Sequence, residues 1–311
     1  MTMREVAGDG MLVAEGLVKR YGTRRALDGF DLTVRSGEIT GLIGHNGAGK
    51  TTFVEAVTGL IRPDAGRVTV GGIDVRRDPC GARRLLGVAP QELTLYVSAT
   101  VRDNLRLFGA LAGLRRAALH CAVDQVAEEL QLTEVLGQRA GLLSGGQRRR
   151  TQAAAALVGG APLLLLDEPT AGADPQTRAA LLEAVRARAA SGAAIVYTTH
   201  YLPELADLRA TLAVARSGRI IARGAQEDLV RGLPGELRLR LDGTAGDGQV
   251  PASLADRTRS DAGELRITST DPPADLAVLL SAGCTPVWVD VRRPGLDDLY
   301  RALTPEVSHA G

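Results

Sequence analysis

The stretch GHNGAGKTT, Gly44 to Thr52, constrains this chain more than any other. It matches the pattern G-x-x-x-x-G-K-[ST] from Gly44 to Thr51, directly after the apolar run ITGLIG and directly before TTFVEAVTGL, which has helical spacing. A strand, a glycine loop and a helix in that order open a parallel α/β unit. The loop needs glycines because backbone N–H groups must converge on phosphate oxygens without a Cβ in the way. The helix N-terminus adds its partial positive charge. Gly44, His45, Asn46, Gly47, Ala48 and Gly49 therefore form a candidate phosphate cradle, with Thr52 in the first turn behind it. Lys50 is expected to reach the β- and γ-phosphates and the Thr51 hydroxyl to ligate Mg²⁺. Lys19 is the only other lysine; every other basic side chain is arginine.

A second run, LLLLDEPTAGAD, reads as a buried strand that ends in Asp167 and Glu168 and is stopped by Pro169. Ligands of open parallel sheets collect at the carboxyl ends of the strands, so both acids should face phosphates bound by the neighbouring loop. Asp167 is the expected Mg²⁺ ligand, through water, and Glu168 the group that orients the attacking water. Gln91, in GVAPQELTLY, is a candidate for contact with Mg²⁺ or that water, and His200, ending AAIVYTTH, for a hydrogen bond to the γ-phosphate. A solvated Gln and a structural His are the plainer alternatives. Tyr21 is a candidate base-stacking ring or simply half-buried packing. The segment LSGGQ, Leu143 to Gln147, places Ser144, Gly145 and Gly146 at the start of the helix-like QRRRTQAAAALV, where the serine also suits an N-cap.

With 37 basic against 36 acidic residues the formal net charge is +1, so there is no overall basic field for nucleic acid. Three cysteines without paired spacing suggest neither a disulfide framework nor a zinc site, and a reducing compartment is expected. No run approaches the roughly 18–20 apolar residues of a membrane span, and the start MTMREVAGDG lacks a signal-peptide core. Apolar spacing between Ala99 and Leu136 predicts a helical block. After about Gly232, GLPGE reads as a linker, and ELRLRLDG, GELRITST, PADLAVLLSAG, TPVWVDV and GLDDLYRAL as a small strand-and-helix domain. The stretch DGTAGDGQVPAS within it reads as a mobile loop.

Taken in order, these residues resemble the ATP-binding subunit of ABC transporters. Tyr21 is similar to the family's adenine-stacking aromatic, Gly44 to Thr51 to its Walker A, Gln91 to its Q-loop, and Ser144 to Gln147 to its signature. Leu163 to Glu168 resembles its Walker B with the catalytic glutamate, Ala171 to Asp174 its D-loop, and His200 its switch histidine. The ordered set is far more specific than a phosphate loop alone. The resemblance implies an α/β fold: a RecA-like P-loop core with an antiparallel β-subdomain and a helical subdomain, followed by a small C-terminal α+β domain. The matching boundaries are a flexible N-terminus at 1–10, a nucleotide-binding domain at 11–231 with its helical block at about 92–160, and an accessory domain at 232–311.

It further implies ATP and Mg²⁺ as ligands. A second copy is expected to pair head to tail, its LSGGQ closing over the ATP of the first. A separate membrane permease is the other partner, docking near ELTLYVSAT and holding the chain at the cytoplasmic face of a bacterial membrane. TTHYLPELADL and the ending RRPGLDDLYRALT look like the drug or small-molecule exporter subgroup. The alternative is a soluble ATPase of the same type acting on ribosomes or DNA, against which the near-zero charge speaks.

Overall fold

The computed structural model describes residues 10–241, 250–261 and 264–303, so of the expected N-terminal segment only Gly10 falls among them. The chain divides into two compact units between Gln226 and Glu227.

In the first unit, β1 (Leu12–Tyr21) and β2 (Arg24–Val34) form a hairpin, and β3 (Ile39–Ile43) is five buried residues that run into the glycine loop. Helix α1 (Lys50–Val57) follows, then β4 (Ala65–Val70), β5 (Ile73–Asp74), the one-turn α2 (Pro79–Arg83) and β6 (Leu86–Ala89). The helical block comprises α3 (Val101–Leu111), α4 (Arg116–Glu129) and α5 (Gly145–Leu157). Strands and helices then alternate: β7 (Leu163–Asp167), α6 (Pro175–Ala190), β8 (Ala194–Thr198), α7 (Pro203–Asp207) and the hairpin β9 (Thr211–Arg216) with β10 (Arg219–Gly224).

Two sheets result. One is antiparallel with order β2-β1-β4-β5, and the other has order β10-β9-β3-β8-β7-β6, parallel except at the edge hairpin β9/β10. Their facing sides share one core, where Leu12, Phe30 and Val68 meet Leu42, Leu163 and Val196. Helix α1 is fixed in it by Phe53, whose ring stacks on Phe30 with centroids 4.8 Å apart. Leu163–Leu166 are buried throughout, as a central parallel strand covered on both faces requires.

One sequence expectation needs refining. The loop after β3 and the acids after β7 are not on adjacent strands, because β8 lies between them. Two inter-strand spacings, about 9–10 Å, therefore separate the glycine loop from the carboxylates, room for a terminal phosphate and a water.

In the second unit, α8 (Gln226–Val230) spans the division, and β11 (Gly235–Leu241), α9 (Ala252–Ala255), β12 (Thr258–Asp261), β13 (Glu264–Ser269), α10 (Pro272–Ser281), β14 (Pro286–Arg292) and α11 (Leu296–Leu303) follow. The sheet is antiparallel with order β12-β13-β11-β14. Its core is Leu237, Leu239, Leu265 and Ile267 under Leu254 and Leu279. The segment GLPGE is only half linker, since Gly235 and Glu236 already pair in β11. Of DGTAGDGQVPAS, 242–249 lie outside the described residues, and Ala252 and Ser253 are helical. Strand β12 has no counterpart in the sequence reading, because TRSD carries no apolar alternation.

Candidate active site

The glycine loop is shaped by close approaches that exclude side chains. A Cβ on Gly44 would stand 2.5 Å from the Ala215 carbonyl, and one on Gly49 2.6 Å from that of Ala26. Gly47 and Gly49 also sit at φ +85° and +105°, where an L side chain is strained. Gly49 is the N-cap of α1 and supplies no side-chain hydrogen bond, so the first N–H groups of the helix stay available. From the other side, Gly218 in the β9–β10 turn donates its N–H to the Ala48 carbonyl at 3.0 Å, and its own carbonyl accepts from Asp28 at 2.9 Å. Gly44 and Ala48 are buried in this brace, while His45, Asn46, Gly47, Gly49, Lys50, Thr51 and Thr52 line a cleft of about 450 Å³.

Lys50 Nζ donates back to the Gly44 carbonyl at 2.5 Å, which holds the ammonium over the loop. Burial lowers its pKa from the ordinary lysine value, and Asp167 and Glu168 across the cleft oppose that shift. Both acids line the cleft, as do Gln91 and His200. Asp167 accepts a hydrogen bond from the Thr198 hydroxyl at the end of β8. Glu168 has φ +48°, a left-handed conformation that a non-glycine residue adopts only when its surroundings impose it. Here its N–H is held by the Thr198 carbonyl at 3.1 Å, and its carboxylate lies 2.8 Å from His200 Nε2.

Behind them sits a buried carboxylate that the sequence reading missed. Glu204 on α7 accepts from the Thr170 hydroxyl at 2.7 Å and the Tyr197 hydroxyl at 3.0 Å, with Arg178 of α6 at 3.1 Å. Burial first and Glu204 second push the Tyr197 pKa well up, so the phenol remains a donor. The loop after Glu168 and the segment after His200 are thereby tied together.

Tyr21 is exposed at the rim, with Lys19 Nζ 5.6 Å from its ring centroid. Arg24 and Ala26 of β2 line the cleft as well and were not anticipated. A Cβ on Gly47 would lie 2.6 Å from the Arg24 guanidinium, so the loop passes directly under that cation. The only sequence signal for Arg24 was its place three residues after Tyr21.

Ser144, Gly145, Gly146, Gln147 and Asp174 lie elsewhere. Ser144 caps α5, accepting from Gln147 N–H at 3.2 Å, while the Gln147 side chain accepts from Ser144 N–H at 3.0 Å. Asp174 caps α6 through Thr177, whose hydroxyl and then backbone N–H hold the Asp174 pKa below the ordinary value. A Cβ on Gly146 would stand 3.7 Å from the Gly172 carbonyl, so the start of α5 and the Ala171–Asp174 loop form one second surface.

The first cleft suits a polyphosphate: glycine N–H groups, a lysine and an arginine on one wall, carboxylates on the other. The donors that Thr51, Gln91 and Asp167 present are all oxygens, and among the described residues no group of three or more His, Cys, Asp or Glu makes a metal cage. That donor set fits a hard cation that keeps waters and shares phosphate oxygens, as Mg²⁺ does.

A family pattern described as ABC transporter matches residues 27–171. The daunorubicin resistance ATP-binding protein DrrA2 of Streptomyces coeruleorubidus is 38% identical, over 95% of this chain and 96% of that protein. The Nod factor export ATP-binding protein I of Burkholderia lata is 37% identical, over 92% and 94%. Among solved structures, the ATP binding subunit of an ABC transporter superposes with a TM-score of 0.68 at 29% identity, covering 71% of this chain and 92% of that one.

Proposed function

Because the chain belongs to the ABC transporter ATP-binding proteins, a family of ATPases, we propose that two copies close head to tail over two ATP molecules and drive export of a small molecule through a separate permease. In each cleft Lys50 and the loop N–H groups grip the β- and γ-phosphates, and Tyr21 lies against the base. Thr51, Gln91 and Asp167 hold Mg²⁺, which when bound offsets charge on the phosphate oxygens. Glu168 orients and polarises the attacking water, and His200 steadies the Glu168 carboxylate and meets the γ-phosphate. The observation that carries this reading is Glu168 itself, locked at φ +48° by Thr198 and His200 and facing Lys50.

Ser144 to Gln147 and Asp174 do not line their own cleft, and this supports pairing: each signature serves the partner's ATP. Among the described residues no helix is long and apolar enough to cross a membrane, so a membrane role runs through the permease. Its docking place is the stretch after Gln91, where Tyr96 and Val97 are exposed and Thr94 lines an apolar groove with Leu60, Phe108 and Leu111. Tyr96→Asp should uncouple transport while sparing ATPase of the isolated chain; loss of that ATPase would mean a folding defect, and undiminished transport would refute the assignment. The relatives above carry daunorubicin resistance and Nod factor export in their names, and this supports export of a drug-like or other small molecule.

The test is light scattering of Glu168→Gln with and without ATP and Mg²⁺. A shift from monomer to dimer on ATP, abolished by Ser144→Arg, is expected. A chain that binds ATP yet pairs equally well with Ser144→Arg would refute the role of the signature.

A further inference from the structure

Helix α5 begins at the signature and ends in the core, and one polar side chain in its middle is buried. Gln152 is 2% exposed, although it follows three arginines in QRRRTQ. Its side chain makes three hydrogen bonds to the backbone around Gln91. Its amide nitrogen donates to the Pro90 carbonyl and, at 2.9 Å, to the Glu92 carbonyl, and its oxygen accepts from Thr94 N–H at 2.7 Å. One turn earlier, Arg149 donates to the carbonyl of Gln91 itself. Four contacts, at residues 90, 91, 92 and 94, therefore fix this loop to one face of α5.

The C-terminal half of the helix that provides them is seated in the core. Ala153 to Leu157 are buried, and a Cβ on Gly87 would stand 2.3 Å from the Ala156 carbonyl, so α5 packs backbone to backbone on β6. Towards the other end, the same helix is capped by Ser144. A tilt of the Ser144 end of α5 must carry the Gln91 loop with it, since leaving the loop behind would break these hydrogen bonds and strand the buried Gln152 amide.

The geometry points to Gln152, assisted by Arg149, as a positioning residue that locks Gln91 in one cleft to the signature that closes the other. This rests on the pairing reading above and adds the route by which one chain joins its two half-sites. Nucleotide that draws Gln91 inward tilts the Ser144 end of α5 and re-aims Ser144; a partner that engages Ser144 sets Gln91 in return. Coupling of this kind is reciprocal by necessity.

Gln152→Met keeps the side-chain volume and removes three of the contacts; Arg149→Met removes the fourth from a half-buried position. Turnover is expected to fall about 10²-fold in Gln152→Met, the scale of an ångström-sized misplacement, and by a smaller factor in Arg149→Met. Affinity for ATP without Mg²⁺, titrated calorimetrically in a Glu168→Gln, Ser144→Arg background that cannot pair, should change by less than about twofold, because the phosphate loop is untouched. A purely structural residue would lower melting temperature and ATP affinity together. Should Gln152→Met fail to fold, Arg149→Met decides: a lower kcat at unchanged ATP affinity supports the clamp, and unchanged kcat overturns it. Full turnover in a folded Gln152→Met, with Ser144→Arg inactive, also overturns it. Full turnover in Ser144→Arg sinks the pairing reading on its own.

Discussion

Two helices in the first unit begin with small residues, and they begin differently. At the start of α1, Gly49 adopts φ +105° and offers no side chain, so the leading N–H groups open into the cleft. At the start of α5, Ser144 and Gln147 satisfy each other's N–H groups in a closed capping box. One end is built to receive an anion at once; the other is already content in the single chain and must exchange its own cap for a ligand. Affinity for nucleotide therefore resides in the first, and the second can be decisive only where another chain supplies the phosphate.

The sharpest break in this comparison is expected from the wall opposite α1. Glu168→Gln should lower turnover by about 10²–10⁴, the range for loss of a general base, while ATP binding persists; normal turnover would remove Glu168 from the mechanism. Next comes Lys50→Ala, which deletes a charge-assisted contact of about 1.5–3 kcal/mol and should weaken ATP binding to match, read by calorimetry. No change there would mean that the N–H groups alone set the affinity. At α5 the same measurement should be nearly silent. Ser144→Ala is expected to cost about 1 kcal/mol of stability through the lost cap, seen as a lower melting temperature, with ATP affinity of the monomer unaltered. Smallest is the acid limb at α6. The Asp174 pKa is depressed by Thr177, so its contribution is fully present above the ordinary aspartate value and is lost as pH falls through the lower folded value. Asp174→Asn, which still caps, should flatten that loss below about pH 4 in a melting series.

The same contrast explains what could be read from sequence. Gly44 to Thr51, Asp167 and Glu168 were legible because each answers a strict demand: no Cβ near phosphate, a carboxylate at a strand end, a proline to stop the strand. Gln91 and His200 were legible only through the order of motifs, since an isolated Gln or His has no local signature. Thr198 and Arg24 escaped because they belong to strands whose neighbours are set by topology: β8 is inserted between β3 and β7, and β2 passes over the loop. Glu204 and Gln152 escaped for a related reason. Each is a single polar residue with no local signature, and only tertiary contact makes it buried. In the second unit, ELRLRLDG and TPVWVDV show strand alternation, whereas TRSD and ASLA are too short and polar for any periodicity.

The brace beneath the phosphate loop also carries a message about biosynthesis. Gly218 closes on Ala48 and Asp28 from the far end of the unit, so a ribosome releases the loop long before it releases the residue that steadies it. Contacts so distant along the chain form late. A nascent chain that stops short of β9 is expected to show no retention on immobilised ATP, whereas the finished unit is retained. Cellular ATP then acts as an inspector: it stabilises by mass action only those chains whose last hairpin has docked, and unfinished ones neither sequester nor spend it.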